Sequence, residues 1–333
     1  MKSSISKNNI STLSLPASYK ATVPEKVNWL AASEYPATTI PGIGLETFSQ
    51  MASKYSWGKL LISNRFDFPV GAIEIFDYVR EDRVQVADIH GGPLGSIEPV
   101  FNLVSLPFLT SSIDDTKCLQ AATRKVYGQR FERNGLHLLY SAPWPATGLW
   151  SSSPVASMDD LRKLRIRTYD TTSAALLASA GVTGVNMPFG QAMPLIANSE
   201  ISGVMSSGDG GAGWQLWQHL RYFTALNYAA PLSFSVVNKL AYDSLPRQLR
   251  DAVDRAAEDT EAKLWDIMQK RQEENYQSMK EHGVSVQLIV ADDVKIELQR
   301  NARNIIDAWV DKTGPDATML LEDFEYLKRV GIG

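Results

Sequence analysis

The sequence predicts an α/β protein of two domains, with one helix long enough to extend along both of them. Two observations lead to this fold class. First, strand and helix patterns alternate along the chain at intervals of about 10–15 residues, which is typical of α/β domains with a largely parallel sheet. Second, a helical segment of about 38 residues follows residue 244 and has no glycine or proline after its first turn. The 333 residues of the chain are enough for two such domains.

The first ninety residues show the alternation most simply. Apolar residues recur at helical spacing from Leu45 through Phe48 and Met51 to Tyr55, which predicts a helix. A strand pattern ending at His90 is followed by the breaker run Gly91-Gly92-Pro93. The elements predicted in this part are strands at 27–32, 59–65 and 84–90 and helices at 45–55 and 72–79.

The same alternation recurs between residues 136 and 206. Predicted strands cover 136–140, 164–167, 184–187 and 201–206, and predicted helices cover 158–161, 172–180 and 189–198. After the last of these strands comes a glycine-rich run, and a further helix is predicted over 214–220.

The long helix is predicted from its start signal and its lack of breakers. Ser244 is a suitable N-cap residue, and Pro246 stands in the first turn, where its missing N–H is not needed. The segment up to Gly283 corresponds to roughly 57 Å of helix at 1.5 Å per residue, so we expect it to extend along two domains. A strand at 284–290 and a helix at 294–310 follow, and the helix is predicted to bury Ile296, Ile305, Ile306 and Trp309.

Composition excludes several classes of protein. The net charge is −4 and no run of lysine and arginine occurs, whereas nucleic-acid binding needs a concentrated basic surface. The single cysteine, Cys118, cannot form a disulfide within the chain and is interpreted as a small buried hydrophobe. No apolar run approaches the roughly 18 residues of a membrane span, so we expect no insertion into a membrane.

Residues 1–26 form a polar leader rich in serine, lysine and asparagine. They lack the apolar core of a signal peptide. Two readings remain open: a cytoplasmic protein, or the mature chain left after a signal has been removed.

The run from Ser206 to Trp214 contains the spacing G-x-G-x-x-G, formed by Gly208, Gly210 and Gly213. In dinucleotide-binding proteins this loop follows a strand, opens a helix and is followed about 20 residues later by an acidic residue for the ribose. No Asp or Glu occurs between Asp209 and Asp243. We therefore expect no dinucleotide, and no other cofactor is indicated.

Catalytic and metal-binding motifs are also missing from the sequence. The four histidines, His90, His137, His219 and His282, have no metal-ligand spacing, so no metal site is expected. The sequence has no G-x-S-x-G elbow and no P-loop. A catalytic triad assembled from distant residues stays open, but no catalytic residue is predicted.

Three ordered blocks resemble a known family. They are DDLRKLRIR at 159–167, MPFGQAMPLIANSEISGVMSS at 187–207 and YDSLPRQLRDAVDRAAEDTEAKLW at 242–265, with VFNLVSLPFL at 100–109 upstream. Together they closely resemble the substrate-binding proteins of TRAP transporters, the tripartite ATP-independent periplasmic systems. The resemblance extends from about residue 27 to about residue 310.

The resemblance implies a type II periplasmic-binding fold with two α/β lobes and a long helix lying along both. It places lobe I at 27–142 and 233–275 and lobe II at 143–232 and 276–333, with the ligand cleft between them. It also implies a periplasmic location, a small organic carboxylate as ligand, hinge closure around it, and delivery to the membrane subunits of a permease without any catalysis.

The carboxylate clamp of the family is an arginine on the strand after the helix of the first block, and Arg167 matches it. A guanidinium offers a planar fork that can bind both oxygens of a carboxylate. Strand alternation places Arg165 on the same face as Arg167, but Arg165 is interpreted as a surface residue.

Three other polar positions depart from the family pattern. A second arginine is absent, since its place falls near Ala146 and Thr147. An asparagine is matched by Ser206, and the end of the third predicted strand carries His90. A pocket with one arginine, small hydroxyls and aromatic walls is predicted to suit an aromatic or apolar monocarboxylate, because a sugar acid or dicarboxylate would leave polar groups unpaired. The expected ligand contacts are Arg167, Ser206, Phe189, His90, Trp144, Thr147, Tyr35, Ser207 and Trp214.

Two further classes remain possible from the sequence. One is a two-lobed sensor that reports ligand to a signalling partner. The other is a soluble enzyme on a similar fold that uses His90 or Ser206 in acid–base work. The wall residues also have a simpler interpretation, since each aromatic side chain could belong to the hydrophobic core.

Overall fold

The structure is a computed structural model, and it describes residues 26–110 and 112–331. The predicted polar leader lies outside the described residues, except for its last residue, Lys26. Among the described residues, no helix combines the length and the apolar character that crossing a membrane requires.

Strands and helices alternate through most of the chain. The first part contains β1 (Val27–Ser33), α1 (Ile40–Tyr55), β2 (Leu60–Arg65), α2 (Ala72–Arg80), β3 (Val86–His90), α3 (Ile113–Arg133) and β4 (Leu136–Pro143). The middle part contains β5 (Gly148–Ser151), α4 (Met158–Arg162), β6 (Arg165–Thr168), α5 (Thr171–Ser179), β7 (Thr183–Asn186), α6 (Phe189–Ala197), β8 (Gly203–Ser206), α7 (Gly208–Gly213) and β9 (Tyr222–Thr224). The last part contains β10 (Leu232–Asn238), α8 (Lys239–Asp243), α9 (Arg247–Glu281), β11 (Ser285–Gln287), α10 (Asp292–Thr313) and α11 (Pro315–Val330).

Five strands form the first sheet, in the order β2-β1-β3-β10-β4. β1 is parallel to β2 and β3, whereas β10 runs antiparallel between β3 and β4. One hydrophobic cluster contains Phe101 and Phe234, and a second contains Phe48 and Leu249. We call this sheet and the helices packed on it the first lobe.

Six strands form the second sheet, in the order β11-β9-β5-β8-β6-β7. β6 is parallel to β7 and β8, and β5 is antiparallel to β8 and β9. Its hydrophobic clusters include Ile166 and Leu177 in one and Trp150 and Phe223 in the other. This sheet and its helices form the second lobe, and the predicted two-lobed α/β class is confirmed.

Two segments that belong to no helix or strand connect the sheets, in addition to the long helix α9. The chain leaves the first lobe at residues 144–147 and returns to it at residues 225–231. These two crossings are hydrogen-bonded to each other, since the Trp144 N–H donates to the Pro231 carbonyl at 3.0 Å and the Thr147 N–H donates to the Ala229 carbonyl at 2.7 Å. They form a short two-stranded link between the lobes.

The long helix α9 extends along both lobes, as predicted. Its first half contributes Val253 and Leu264 to a cluster of the first lobe. Near its end, Met279 belongs to a cluster of the second lobe. The lobe boundaries stay a prediction, and the packing of Leu320 and Phe324 of α11 favours placing that helix with the first lobe.

Several local predictions are wrong. Ser244 does not cap α9: it follows the last residue of α8, and Pro246 precedes Arg247, where α9 begins. The α-helix predicted over 214–220 is absent. The observed helix α7 ends at Gly213, Gln215 has a left-handed backbone with φ 52°, and only a 3₁₀ turn follows. Ile296 was predicted to be buried in α10, but its side chain is exposed.

Candidate functional site

Arg167 lies on β6, the strand next to the edge of the second sheet, and is buried, with 2% of its surface exposed. Its Nε–H donates to the Met187 carbonyl at 2.8 Å, and its guanidinium carbon lies 4.0 Å from the centre of the Phe189 ring. Nη1 has no hydrogen-bond partner among the described residues. A buried cation with an unused donor calls for an anionic partner. Arg165, two residues earlier, is exposed, as predicted.

The charge of Arg167 is only partly balanced by its neighbours. Burial lowers its pKa, while Tyr35 and Glu34 act in the opposite direction. Glu34 follows β1 in the first lobe, and its Oε1 accepts a hydrogen bond from the Phe189 N–H at 2.9 Å. Burial raises the pKa of Glu34 in spite of the nearby guanidinium. Since arginine remains protonated in proteins, the site keeps a positive centre.

The side chains around Arg167 enclose a cavity between the lobes, which we call the inner cavity. It is lined by Tyr35, His90, Trp144, Thr147, Arg167, Tyr169, Phe189, Ser206, Ser207 and Pro231. The centre of a water-sized sphere can occupy only about 10 Å³ of it, which is room for about one water molecule. The lobes are therefore tightly closed in this structure.

A larger space lies on the other side of the same wall. This outer cavity gives a water-sized sphere about 150 Å³ and shares Tyr35, Arg167 and Tyr169 with the inner cavity. Its remaining lining comes from both lobes, including Glu34 and Asn186. A solute reaching the inner cavity from this side would pass these shared side chains.

His90 ends β3 and faces the inner cavity from the first lobe. Its Nδ1 accepts a hydrogen bond from the Gly92 N–H at 3.2 Å, and this contact assigns the ring proton to Nε2. Burial and the nearby charge of Arg167 lower the pKa of His90 to about 3. At neutral pH the imidazole is thus an uncharged hydrogen-bond donor.

Aromatic rings form half of the lining of the inner cavity. The Tyr35 and Trp144 rings meet edge to face at 4.7 Å, and the His90 and Tyr169 rings are 4.8 Å apart. The Trp144 Nε1–H donates to the Ser233 hydroxyl at 2.9 Å, which fixes the indole plane. Such rings present an apolar surface against which a flat solute can stack.

Three small hydroxyls complete the lining. Ser207 is the N-cap of α7 and accepts from the Gly210 N–H at 3.1 Å. The Thr147 hydroxyl lies 3.4 Å from the Tyr169 hydroxyl. Ser206 is buried at the end of β8. Their oxygens can exchange hydrogen bonds with a solute without adding charge.

The structure brings eight of the nine predicted contact residues together around the inner cavity. Trp214 is the exception: it lies outside the lining and stacks on Phe189 with ring centres 5.5 Å apart. Sequence reasoning missed Tyr169 and Pro231. Tyr169 could have been found because it stands two residues after Arg167, where strand alternation repeats the same face.

The glycine-rich run does not leave space for a ligand. A Cβ atom on Gly211 would lie 2.2 Å from the Trp150 ring, and one on Gly213 would lie 2.7 Å from the Thr39 methyl group. A Cβ on Gly210 would lie 2.6 Å from the Ser206 hydroxyl. These glycines allow close packing of protein against protein. Among the described residues, no group of three or more His, Cys, Asp and Glu could hold a metal ion.

Known structures place this arrangement in a class of solute receptors. The chain is similar to DctP7 of Bordetella pertussis, an extracytoplasmic solute receptor binding pyroglutamic acid. The two structures match with a TM-score of 0.86 and 26% sequence identity, and the match covers 90% of this chain and 99% of DctP7. A TRAP periplasmic solute-binding protein of Chromohalobacter salexigens, with bound D-glucuronate, matches with a TM-score of 0.82 and 20% identity, covering 90% of this chain and 99% of its own.

Sequence comparison agrees with the structural likeness. A solute-binding protein of Chromohalobacter salexigens is 20% identical over 312 residues, which is 92% of this chain and 91% of that protein. Residues 31–309 match the family of bacterial extracellular solute-binding proteins, family 7, called DctP. The chain belongs to this family, whose members are the solute receptors of TRAP transporters, and the resemblance stated from the sequence is confirmed.

Proposed function

We propose that this protein is the extracytoplasmic receptor of a TRAP transporter for a single-carboxylate solute with a small, flat ring. In this proposal the solute enters between the open lobes, which then close around it. The closed receptor passes the unchanged solute to the membrane subunits of the permease. The observation that carries the proposal is Arg167, a buried cation at the inner cavity with an unused Nη1 donor.

The charge of the lining supports one carboxylate. Arg167 is the only Lys or Arg among the residues that line the inner cavity, and His90 is neutral. A second carboxylate would be buried without a cation, which is strongly unfavourable. A dicarboxylate is therefore a poor ligand for this site.

The aromatic walls support a ring as the body of the solute. Tyr35, Trp144 and Phe189 surround the cavity, and flat rings gain from edge-to-face or stacked contacts with such side chains. His90 Nε2–H and the nearby hydroxyls can form hydrogen bonds with one or two polar atoms of the solute ring. The predicted aromatic acid satisfies these conditions. Pyroglutamate, the solute of the similar Bordetella receptor, also has one carboxylate on a small ring.

Titration calorimetry with a panel of acids tests the proposal. The panel contains benzoate, indole-3-acetate, pyroglutamate, succinate and glucuronate, each added to protein from which bound solutes have been removed by unfolding and refolding. We expect at least one of the three flat-ring acids, benzoate, indole-3-acetate and pyroglutamate, to bind, and succinate and the polyhydroxylated glucuronate to bind much more weakly. Tight binding of succinate or glucuronate would contradict the proposed solute class.

The same experiment separates a receptor from an enzyme. After prolonged incubation, the bound acid is released by denaturing the protein and analysed by mass spectrometry. A receptor returns the acid chemically unchanged. A stoichiometric or catalytic change in its mass would favour the enzyme class that the sequence left open.

A further inference from the structure

Two carboxylate side chains, one from each lobe, accept a hydrogen bond from the backbone of the opposite lobe. Glu34 belongs to the first lobe, and its Oε1 accepts from the N–H of Phe189, the first residue of α6 in the second lobe. Asp209 belongs to the second lobe, and its Oδ2 accepts at 2.8 Å from the N–H of Ile40, the first residue of α1 in the first lobe. Each lobe thus supplies a carboxylate to the start of a helix in the other.

Both carboxylates are placed where a helix needs an acceptor. The first N–H groups of a helix have no partner within it, and the helix dipole favours negative charge at that end. The residue before α6 is Pro188, whose side chain provides no capping hydrogen bond, so Glu34 supplies one from the opposite lobe. Separation of the lobes breaks both hydrogen bonds.

Asp209 also connects to the long helix. Its side chain is fully buried, and Oδ1 pairs with Arg271 of α9. Arg271 in turn donates to the Thr38 carbonyl, next to the start of α1. The charge of Asp209 is therefore compensated, and its contact with Ile40 is one part of a connected set.

Glycines allow the lobes to approach this closely. A Cβ on Gly71 of the first lobe would lie 2.5 Å from the Pro188 ring of the second, and a Cβ on Gly213 of the second lobe would lie 2.7 Å from the Thr39 methyl group of the first. Neither glycine has a positive φ, so the reason for glycine is the contact and not the backbone conformation. An added methyl group would obstruct closure and leave each separate lobe intact.

We propose that Glu34 and Asp209 form a two-point closure lock that sets solute affinity although neither residue lines the inner cavity. The proposal rests on the proposed function, because it assumes that the solute is bound by closure. The measured affinity of such a receptor contains the fraction of molecules able to close. Weakening the lock lowers that fraction without altering any contact with the solute.

Asp209→Ala is the principal variant, because Glu34 also lies near the Arg167 charge. We expect a loss of about tenfold or more in affinity, as for other hydrogen bonds to charged groups, with faster solute release. Gly213→Ala adds a methyl group at the same boundary and is expected to act in the same direction. Because Gly213→Ala keeps the ion pair between Asp209 and Arg271, a loss of affinity in this variant cannot come from an unpaired Arg271.

Asp293→Ala is the matched control. Asp293 accepts from the N–H of Met158, the first residue of α4, at 2.8 Å, but both elements belong to the second lobe. This variant removes the same kind of hydrogen bond without touching the boundary. Its affinity for the solute should stay within about twofold of wild type, because the lost hydrogen bond lies within one lobe and does not hold the lobes together.

Amide hydrogen exchange distinguishes a lock from a local contact. In the protein saturated with solute, where the lobes are closed, Asp209→Ala is expected to speed exchange at Ile40 and also at Phe189, the amide held by Glu34 at the other point. A local role would change Ile40 alone, and that result, or wild-type affinity in both boundary variants, would overturn the lock. Failure of the wild type to bind any acid of the panel would instead overturn the proposed function, whereas wild-type binding that both boundary variants retain would overturn the lock alone.

Discussion

Arg167 is held in place before any solute arrives. The Met187 carbonyl fixes Nε and the Phe189 ring lies under the guanidinium plane, so the remaining nitrogens point in a defined direction. Little side-chain entropy has to be lost when a carboxylate binds, because the arginine is already ordered. We therefore expect Arg167 to contribute to solute binding through its preorganisation as well as its charge.

Replacing Arg167 by Ala should weaken binding of the best acid of the panel by roughly 10- to 150-fold, the equivalent of about 1.5–3 kcal/mol for hydrogen bonds to a charged group. Arg167→Lys keeps the charge but loses the planar fork, so an intermediate affinity is expected. Arg165→Ala is the control, because Arg165 is exposed on the same strand. Calorimetry gives all three values, and unchanged affinity in Arg167→Ala would refute the assignment.

Asp88 is another buried carboxyl group, placed in the middle of the first sheet. Strand register sets it beside Ser33 of β1 and Ser235 of β10, and Ser235 stands beside Tyr140 of β4. Burial raises the pKa of Asp88 to about 8, although the hydroxyls of Ser33 and Ser233 lower it. At neutral pH the folded protein therefore keeps Asp88 largely protonated.

The stability of the protein should depend on pH through Asp88. In the unfolded chain its pKa is about 3.9, so between about pH 4 and pH 8 the folded state holds a proton that the unfolded state has released. The contribution of Asp88 to stability is complete below that window and is lost as the pH rises through it. Asp88→Asn should therefore gain stability relative to wild type from pH 5 to pH 8. Urea unfolding at several pH values measures this difference, and parallel curves would contradict it.

Secondary-structure elements differed in how well the sequence predicted them. β1 to β3 and the helices α1 and α2 were predicted because their periodic patterns are clear and their partners are close in sequence. β10 was missed: all seven of its residues are buried, so it lacks the alternation of a half-exposed strand, and its partner β3 lies far away in the sequence. α3 was missed because only a few of its 21 residues are apolar and buried.

The candidate site was easier to predict than some of the strands around it. Tyr35 and His90 follow or end strands of one sheet, and Ser206 ends a strand of the other, so the ends of the strands bring them together. Trp214 could not be placed in the same way. It directly follows α7, and the helix predicted over 214–220 is interrupted by the left-handed residue Gln215, whose conformation no periodic pattern reveals.

At the level of single helices, the close contact between Gly211 of α7 and the Trp150 ring leads to a prediction about stability. Gly211→Ala would place a methyl group 2.2 Å from the Trp150 ring, and overpacking of this kind costs about 1–3 kcal/mol. Gly128→Ala in α3 is the control, because nothing lies within 4 Å of its Cβ position; the gain in helix propensity should stabilise it by about 0.5–1 kcal/mol. Urea denaturation distinguishes the two, and equal effects would argue against the contact.

At the scale of the whole molecule, the tight inner cavity predicts a change of shape. A space that holds about one water molecule cannot admit a ring acid unless the lobes separate first. Solution X-ray scattering should therefore give a smaller radius of gyration with saturating solute than without it, around a value of about 20 Å for a compact chain of this length. Identical curves with and without a solute that binds in calorimetry would contradict closure.

The two crossings between the lobes have a consequence for how this protein detects its solute. Trp144 and Thr147 stand on the outgoing segment and Pro231 on the returning one, and all three also line the inner cavity. If the lobes close as proposed, these crossings are the segments that bend, and they also belong to the lining of the cavity. Under the proposed closure, a solute in contact with these residues acts directly on the bending segments, so recognition and movement need no separate relay between them. Variation in the crossings should alter the choice of solute and the ease of bending together.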